Sequence, residues 1–374
     1  MKFFNKKSFR EVFSFNFGLA RLFGFFYFSP KSNQVDVKSK SCGQSFQLVK
    51  FIFYAIFGLL ASIKSSRVNT GNGSGSVVVT LGIELILQAT IFKPTIFRVL
   101  NFCVRDQHEK IFEKFHSVDD ELRRFGIKIN HRKHFVIALM FTTVFYAILI
   151  VTLCVDDFLS SKFLTFRIQD RIGALLGAFN IVAILSYQIC HVLIIHATFK
   201  RLQYMNWILK WSVLDRLTLR RLGRVHNMLC DTLHLINSCF AINFLDFFTE
   251  FVIFNTFFLF EFYFLLTSTH KTVHELAFNV IAAFYTFFFA CLAASIILVS
   301  SWVKTEGEKT KSLIHLRTSR QSKVLKFYNQ FSLQVDHQRP VVSCGVFEVD
   351  LTFLFSVLSG LFSYLIILIQ FESG

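Results

Sequence analysis

The sequence is short of proline and of charge, and each shortage excludes a class of protein. Its 374 residues include only three prolines and sixteen glycines, which excludes collagen-like and low-complexity chains. Charged residues make up 17%, too few to cover the surface of a soluble fold of this length. Hydrophobic residues reach 53%, with Phe at 51 positions, and this excludes a disordered chain. We therefore expect an all-α protein that crosses a membrane several times.

The motifs of common metal and nucleotide sites are missing as well. The eight cysteines form no C-x-x-C pair, and the twelve histidines form no H-E-x-x-H motif. The pairs His131/His134 and His270/His274 lie on opposite membrane sides in the topology derived below, so they do not resemble the histidine boxes of a membrane oxidase. The glycine-rich run 71–75 lacks the lysine of a phosphate-binding loop. We expect no enzyme activity, no cofactor and no metal.

Seven stretches are long and apolar enough to cross a bilayer as helices, which takes about 20 residues. Four of them contain no Asp, Glu, Lys or Arg: 135–155, 172–199, 276–303 and 351–371. The other three carry one to three charges each: 42–63, 77–97 and 244–267. The basic, aromatic N-terminal region predicts a short interfacial helix over about 3–28 rather than a signal peptide.

Basic residues alternate strictly between the connecting segments. Residues 1–45 and the loops 98–134, 200–243 and 304–345 hold 8, 9, 7 and 8 Lys and Arg. The loops 64–76, 156–170 and 268–275 hold 2, 2 and 1. By the positive-inside rule, the N-terminus lies inside and the C-terminus outside. Asn72, in the first of these poorly basic loops, begins the chain's N-glycosylation sequon, which the topology places outside.

The predicted organisation follows from these spans and their orientation. It comprises a cytoplasmic N-terminal segment, six transmembrane helices, a cytoplasmic loop or anchor helix, a seventh helix that is the candidate pore lining, and an extracellular tail. In residue numbers these parts are 1–45, 46–303, 304–345, 346–371 and 372–374.

Two of the basic loops carry amphipathic helical patterns. Within the charged segment 105–124, apolar residues recur at helical spacing at Ile111, Phe115, Val118 and Leu122. A similar pattern within 201–236 runs through Leu214, Leu217, Leu222 and Val225. We predict that membrane helices continue as cytoplasmic extensions and pack there. A surface helix bound to anionic lipid is the alternative that the pattern leaves open.

The last span carries a single polar stripe on an otherwise apolar helix. Five polar residues lie within about 60° of one another on a helical wheel: Thr352, Ser356, Ser359, Ser363 and Gln370. Polar groups that face lipid are costly, so the stripe faces water, as in a pore, or another helix through small residues. Gln370 is too large for close helix packing and favours the pore. In the fifth span, Glu261 is deep enough to suggest a functional role.

The last helix also resembles the insect gustatory receptor family, which groups with the insect odorant receptors. The family signature is Thr-Tyr, five apolar residues and Gln-Phe; here it stands as Ser363-Tyr364 followed by Gln370-Phe371. Residues 331–334 and 343–350 resemble the family's lead into that helix. Over the rest of the chain, the resemblance is one of length, span number and topology.

The resemblance implies a taste receptor, a ligand-gated non-selective cation channel in the plasma membrane of sensory neurons. It would be a homo- or hetero-tetramer opened by a small-molecule tastant, with a bitter compound favoured. Other implied partners are membrane lipid and permeating cations; we expect no nucleic acid. The last helix would line the pore, with Tyr364 near its outer mouth and Gln370 and Phe371 at the gate. The ligand would bind among the second to sixth helices, where we nominate Glu84, Gln88, Tyr146, Asn180, Glu261 and Tyr285.

A seven-span G-protein-coupled receptor is the alternative function. The charge pattern puts the N-terminus on the wrong side for that class, and no proline lies in the sixth or seventh span. No Asp-Arg-Tyr ends the third span, and loop 156–170 has no cysteine for the expected disulfide. A transporter is disfavoured because no pair of spans is interrupted by Gly or Pro at corresponding positions.

Overall fold

The structure is a computed structural model, and it describes residues 9–23, 96–163, 168–267, 273–318 and 325–373. Over these residues the chain is helical apart from short connections, which confirms the all-α prediction for this part. The helices are α1 Phe9–Val12, α2 Ser14–Leu22, α3 Arg105–Arg124, α4 His131–Phe163, α5 Ile168–Trp211, α6 Arg216–Thr267, α7 Val273–Thr318, α8 Leu325–His337 and α9 Leu351–Ser373. Residues 96–103 are also helical and lead into α3.

Five of the described helices are long and apolar enough to cross a membrane: α4, α5, α6, α7 and α9. They contain the five predicted spans that begin at residue 135 or later. The predicted spans 42–63 and 77–97 lie outside the described residues, apart from the last two positions of the second. The orientation of the chain in the membrane remains a prediction.

Three of the membrane helices are far longer than a bilayer requires. α5, α6 and α7 contain 44, 52 and 46 residues, whereas about 20 residues cross the hydrocarbon. Each extra length lies on the side where the basic residues are concentrated: the end of α5, the beginning of α6 and the end of α7. The helices therefore continue well beyond their apolar stretches, as predicted, and the placement of these extensions in the cytoplasm stays a prediction.

These extensions pack with α3 into an apolar region, the extension core, which is continuous with the core of the membrane helices. The four predicted apolar residues of α3, Ile111, Phe115, Val118 and Leu122, are fully buried. Leu214, Leu222 and Val225 are buried too, but Leu217 is 56% exposed and that prediction is wrong. A non-helical connection at 213–215 separates α5 from α6. It resets the helical phase, so Leu219 takes the buried position instead.

The N-terminal helix is part of the bundle. Asn16, which interrupts the apolar run in the sequence, is buried, and its Nδ2 donates to Thr142 Oγ1 of α4 at 2.6 Å. The ring of Phe17 packs edge-on against Phe112 of α3, with centroids 4.8 Å apart. The predicted helix is present over Ser14–Leu22. It packs into the core because its polar residue finds a buried hydroxyl partner.

Gly307 marks a close approach between α7 and the segment that leads to α9. A Cβ at Gly307 would overlap Pro340 Cγ and lie 2.9 Å from its Cδ. The pyrrolidine ring cannot rotate away because it is closed onto its own backbone. We expect Gly307→Val to destabilise the fold by about 1–3 kcal/mol through overpacking, measured by thermal unfolding of the purified protein.

The matched control is Gly18→Ala in α2, where, among the described residues beyond its own stretch of helix, no atom lies within 4 Å of the added Cβ. Alanine at an open helical position gains helix propensity, so this variant should be neutral or slightly more stable. If both variants unfold at the wild-type temperature, the contact between Gly307 and Pro340 is not tight in the protein.

Candidate functional site

Helix α9 has one face on the protein and one face uncovered. Phe353 stacks on Phe347 with ring centroids 4.0 Å apart and meets Phe248 of α6 edge-on at 4.8 Å. Further along, Val357 and Leu361 are buried on the same side. Only 11% of an 18-residue apolar stretch of α9 is buried in the protein, whereas 67% of the corresponding stretch of α5 is buried. A membrane helix left this open in a single chain is available to line a shared space or to pack against other subunits.

The predicted polar stripe lies on the uncovered face. Ser356, Ser359, Ser363 and Gln370 are all exposed. The Ser356 and Ser363 hydroxyls donate to carbonyl oxygens one turn earlier on α9, at 3.2 and 2.9 Å. Because these hydroxyl protons are used within the helix, the oxygen lone pairs remain as acceptors on the outer surface. A row of oxygen acceptors is chemically suited to hydrated cations.

Tyr364 and Phe371 lie elsewhere on the same helix. Tyr364 lines a groove of about 540 Å³ between α9 and α6, together with Val252 and Thr256. Six residues at about 100° each place it roughly 120° around the helix from Gln370. Phe371, at the end of the helix, is 82% exposed. The stripe and the groove are thus different faces of α9, and the pore roles of Tyr364 and Phe371 remain predictions.

A tight hairpin, residues 342–349, leads into α9. An isolated β-bridge joins Ser343 to Glu348, and the Val349 N–H donates to the Val342 carbonyl at 2.9 Å. Gly345 closes the turn with a φ of 84°, a conformation that favours glycine. The beginning of α9 is therefore held in one geometry by local backbone contacts.

Lys304 of α7 ties this hairpin to the bundle. Its Nζ donates to Glu348 Oε2 at 2.8 Å and to Asp350 Oδ2 at 2.7 Å. Asp350 also caps α9, because its Oδ1 accepts the Phe353 N–H at 3.0 Å. Partial burial raises the pKa of the Asp350 carboxyl, but the hydrogen bonds from Lys304 and Phe353 outweigh it and hold the pKa below its usual value. The carboxylate is therefore ionised when Lys304 binds it.

The nominated ligand residues that the structure describes lie between different helix pairs. Tyr146 of α4 shares a 2.5 Å hydrogen bond with Ser186 of α5, and the Tyr285 hydroxyl of α7 donates to Asp156 Oδ2 of α4 at 2.9 Å. Asn180 of α5 and Glu261 of α6 are partly buried. Glu84, Gln88 and the sequon residue Asn72 lie outside the described residues.

The partners of the two tyrosines were missed from the sequence. Asp156 stands one residue past a charge-free span and reads as a loop residue, whereas α4 continues to Phe163 and keeps it on the helix. Ser186 lies within an apolar run and gives no signal of its own. Both tyrosines bond across helix pairs that include α4, so α4 is linked to α5 through Tyr146 and to α7 through Asp156.

A buried polar cluster joins four helical segments on the basic side of these residues. The Tyr187 hydroxyl donates to Asn101 Oδ1 at 2.7 Å and accepts Asn243 Nδ2 at 3.2 Å. His108 Nε2 lies 3.2 Å from the same Asn101 oxygen. Burial lowers the pKa of His108 to about 3, so its imidazole is neutral at cellular pH. The cluster fixes the relative positions of residues 96–103, α3, α5 and α6.

Comparison with known proteins decides what kind of protein carries this geometry. The sequence model of a family described as 7tm chemosensory receptor matches residues 13–373, nearly the whole chain. The chain belongs to this family. The resemblance of the last helix to the insect chemoreceptors is thereby confirmed, and the G-protein-coupled alternative is disfavoured.

A relative and two solved structures agree with this family assignment. The chain is similar to putative gustatory receptor 28b of Drosophila melanogaster, with 22% identity over 326 residues, 75% of this chain and 67% of that protein. The olfactory receptor OR5 of Machilis hrabei has the same fold. Its complex with eugenol matches with a TM-score of 0.72 at 14% identity, and its structure without that ligand with 0.73 at 12%. Each covers 96% of this chain and 98% of OR5.

In this chain, the membrane-spanning helices and their extensions pack as one bundle. α6 runs without interruption from the extension core to the far end of its membrane span. It contacts α9 along the groove and α3 in the extension core. A displacement of α6 would therefore alter its contacts with both α9 and α3.

Proposed function

We propose that the protein is a taste-receptor subunit, a cation channel opened by a small organic molecule. The observation that carries this proposal is the exposed row of Ser356, Ser359, Ser363 and Gln370 on a helix that one chain leaves largely uncovered. Four copies of α9 around an axis would turn these stripes inward and remove the oxygens from lipid. The similarity to a putative gustatory receptor supports a tastant over other ligands.

The ligand is proposed to bind in the bundle and to act through a difference in affinity between closed and open states. Tyr146 and Tyr285 support this placement because each presents a hydroxyl between two helices. OR5 in complex with eugenol supports a small organic ligand. We further propose that the ligand is a bitter compound and that the receptor lies in the plasma membrane of a sensory neuron. Its N-terminus would be intracellular.

The pore assignment is tested by cysteine accessibility in cells that express the receptor and respond to a ligand. Ser359→Cys and Ser363→Cys place a thiol on the stripe, where a water-soluble thiol reagent should cut the evoked current by at least about half. Gln370→Ala should alter the basal or evoked current. Leu358→Cys and Phe362→Cys are exposed positions about 120° and 80° around α9 from Gln370, and they should be unaffected.

Epitope tags at both ends, stained before and after permeabilisation, test the orientation in the same cells. A hidden N-terminus and an accessible C-terminus are expected. If the reagent blocks the two control variants as strongly as the serine variants, or blocks neither pair, the stripe does not line a pore. Native thiols such as Cys154 are controlled by applying the reagent to the unmodified receptor.

A further inference from the structure

A second pocket, of about 300 Å³, lies between α5 and α7 on the side where the basic residues are concentrated. We call it the α5–α7 basic pocket. Its walls combine two aromatic rings with two lysines, one carboxylate and one amide: Phe199, Trp302, Lys200, Lys309, Glu306 and Gln203. The function proposed above uses none of these residues.

This pocket lies where both helices pass from apolar to charged sequence. The charge-free stretches 172–199 and 276–303 end here, and Phe199 and Trp302 are their last aromatic residues. The two rings lie 5.6 Å apart, and Trp302 is 46% exposed. Tryptophan favours the boundary between hydrocarbon and headgroups. The aromatic wall therefore faces the bilayer, and the lysines lie on its aqueous side.

Positive charge accumulates at this edge. Lys200 Nζ donates to the amide oxygen of Gln203 at 2.9 Å and lies 4.9 Å over the Phe199 ring. Neither partner is a carboxylate, and within the described part of the chain Lys200 forms no ion pair. Lys133, at the beginning of α4, repels it, and Glu306 in the pocket wall attracts it. An anion bound near Lys200 would relieve that repulsion.

The carboxylate in the wall is already engaged by protein groups. Glu306 is buried, and it accepts Lys309 Nζ at 2.7 Å and Asn206 Nδ2 at 2.9 Å. Asn206 in turn accepts the Thr310 hydroxyl at 2.7 Å. Glu306 therefore belongs to the contact between α5 and α7 and offsets Lys309. Two lysines and one carboxylate still leave the pocket wall with a net positive charge, and Lys309 keeps two N–H donors that Glu306 does not use.

We propose that the α5–α7 basic pocket binds the headgroup phosphate of an anionic phospholipid. Lys200 and Lys309 would donate to the phosphate, and so would the Trp302 indole N–H, because all three side chains line the pocket. The acyl chains would lie along Phe199 and Trp302. A soluble phosphate has the same charge but makes no use of that apolar wall. Anionic lipids are concentrated in the cytoplasmic leaflet, the side to which the charge pattern assigns these lysines.

Binding is measured on the full-length receptor in phosphatidylcholine nanodiscs, titrated with a fluorescent short-chain phosphatidylinositol bisphosphate. Each lysine beside an anionic headgroup contributes about five-fold, so Lys200→Gln with Lys309→Gln should weaken binding by about 30-fold. Lys210→Gln with Lys311→Gln is the matched control. It removes one lysine from each of the same two helices outside the pocket, and binding should change less than about two-fold.

Lys200→Gln alone guards against misfolding, because it leaves the Glu306 contacts intact; it should weaken binding by about five-fold. Equal weakening in the control pair, or no saturable binding to the wild type, would overturn the proposal. Equal affinity for the soluble headgroup without acyl chains would overturn the lipid assignment. The readout is independent of current, so it stands apart from the test of the channel.

Discussion

Asp119→Asn is expected to destabilise the receptor by about 3–5 kcal/mol, because it leaves a buried arginine without its counter-charge. Asp119 and Arg201 are 5% and 2% exposed and form two parallel hydrogen bonds, of 2.7 and 2.8 Å. Arg201 also donates to the Ala197 carbonyl at 2.9 Å and lies 4.6 Å over the Phe115 ring. A loss of this size is a large share of the net stability of a typical fold, about 5–15 kcal/mol.

The measurement is the thermal unfolding temperature in detergent, together with the amount of receptor at the cell surface. Asp120→Asn is the matched control, because Asp120 is the next residue along α3 and its carboxylate pairs with Arg123 in an exposed site. Exposed pairs contribute about 0–1 kcal/mol, so this variant should resemble the wild type. If Asp119→Asn and Asp120→Asn behave alike, the buried pair does not hold α3 against α5.

A double replacement separates the need for the pair from the need for filled space. Asp119→Leu with Arg201→Met removes both charges and keeps apolar volume. Such replacements are often neutral or stabilising in other proteins, so the double variant should be more stable than Asp119→Asn. A double variant no more stable than the single one would mean that the ionic geometry itself is required.

Lys304→Met is expected to reduce the ligand-evoked response by about ten-fold while the receptor still reaches the surface. Lys304 gives charge-assisted hydrogen bonds to both Glu348 and Asp350, and such bonds contribute about 1.5–3 kcal/mol each before discounting for exposure. All three side chains are partly exposed, so we take the low end of that range. A change of about 1.4 kcal/mol between two states shifts their ratio ten-fold. Because Asp350 caps α9, the loss acts on the helix that carries the polar stripe.

The measurement is a concentration–response curve normalised to surface receptor. Lys311→Met is the control on the same helix, because Lys311 pairs with Asp336 of α8 and touches neither the hairpin nor α9. A normal curve for Lys304→Met, or an equal shift in both variants, would show that the link from α7 to α9 does not influence gating.

Much of the membrane architecture was predictable because lipid imposes strict demands on composition. The five described spans were located from their apolar length, and the buried face of α3 from its helical spacing. The polar stripe of α9 was visible because serines and a glutamine share one angle on an apolar helix. The prediction that Leu217 is buried was wrong for an equally local reason. Spacing predicts a face only while the helix continues, and the connection at 213–215 interrupts it.

The sequence by itself determined that this protein is an all-helical membrane receptor, because composition, helical period and the motif at 363–371 are local properties of the chain. It could not determine which faces meet. Asp119 and Arg201 are 82 positions apart, and Lys304 and Asp350 are 46 apart. Only the tertiary structure decided that Tyr364 faces α6 while Ser363 faces outward, because the partner of a buried surface depends on how the helices pack.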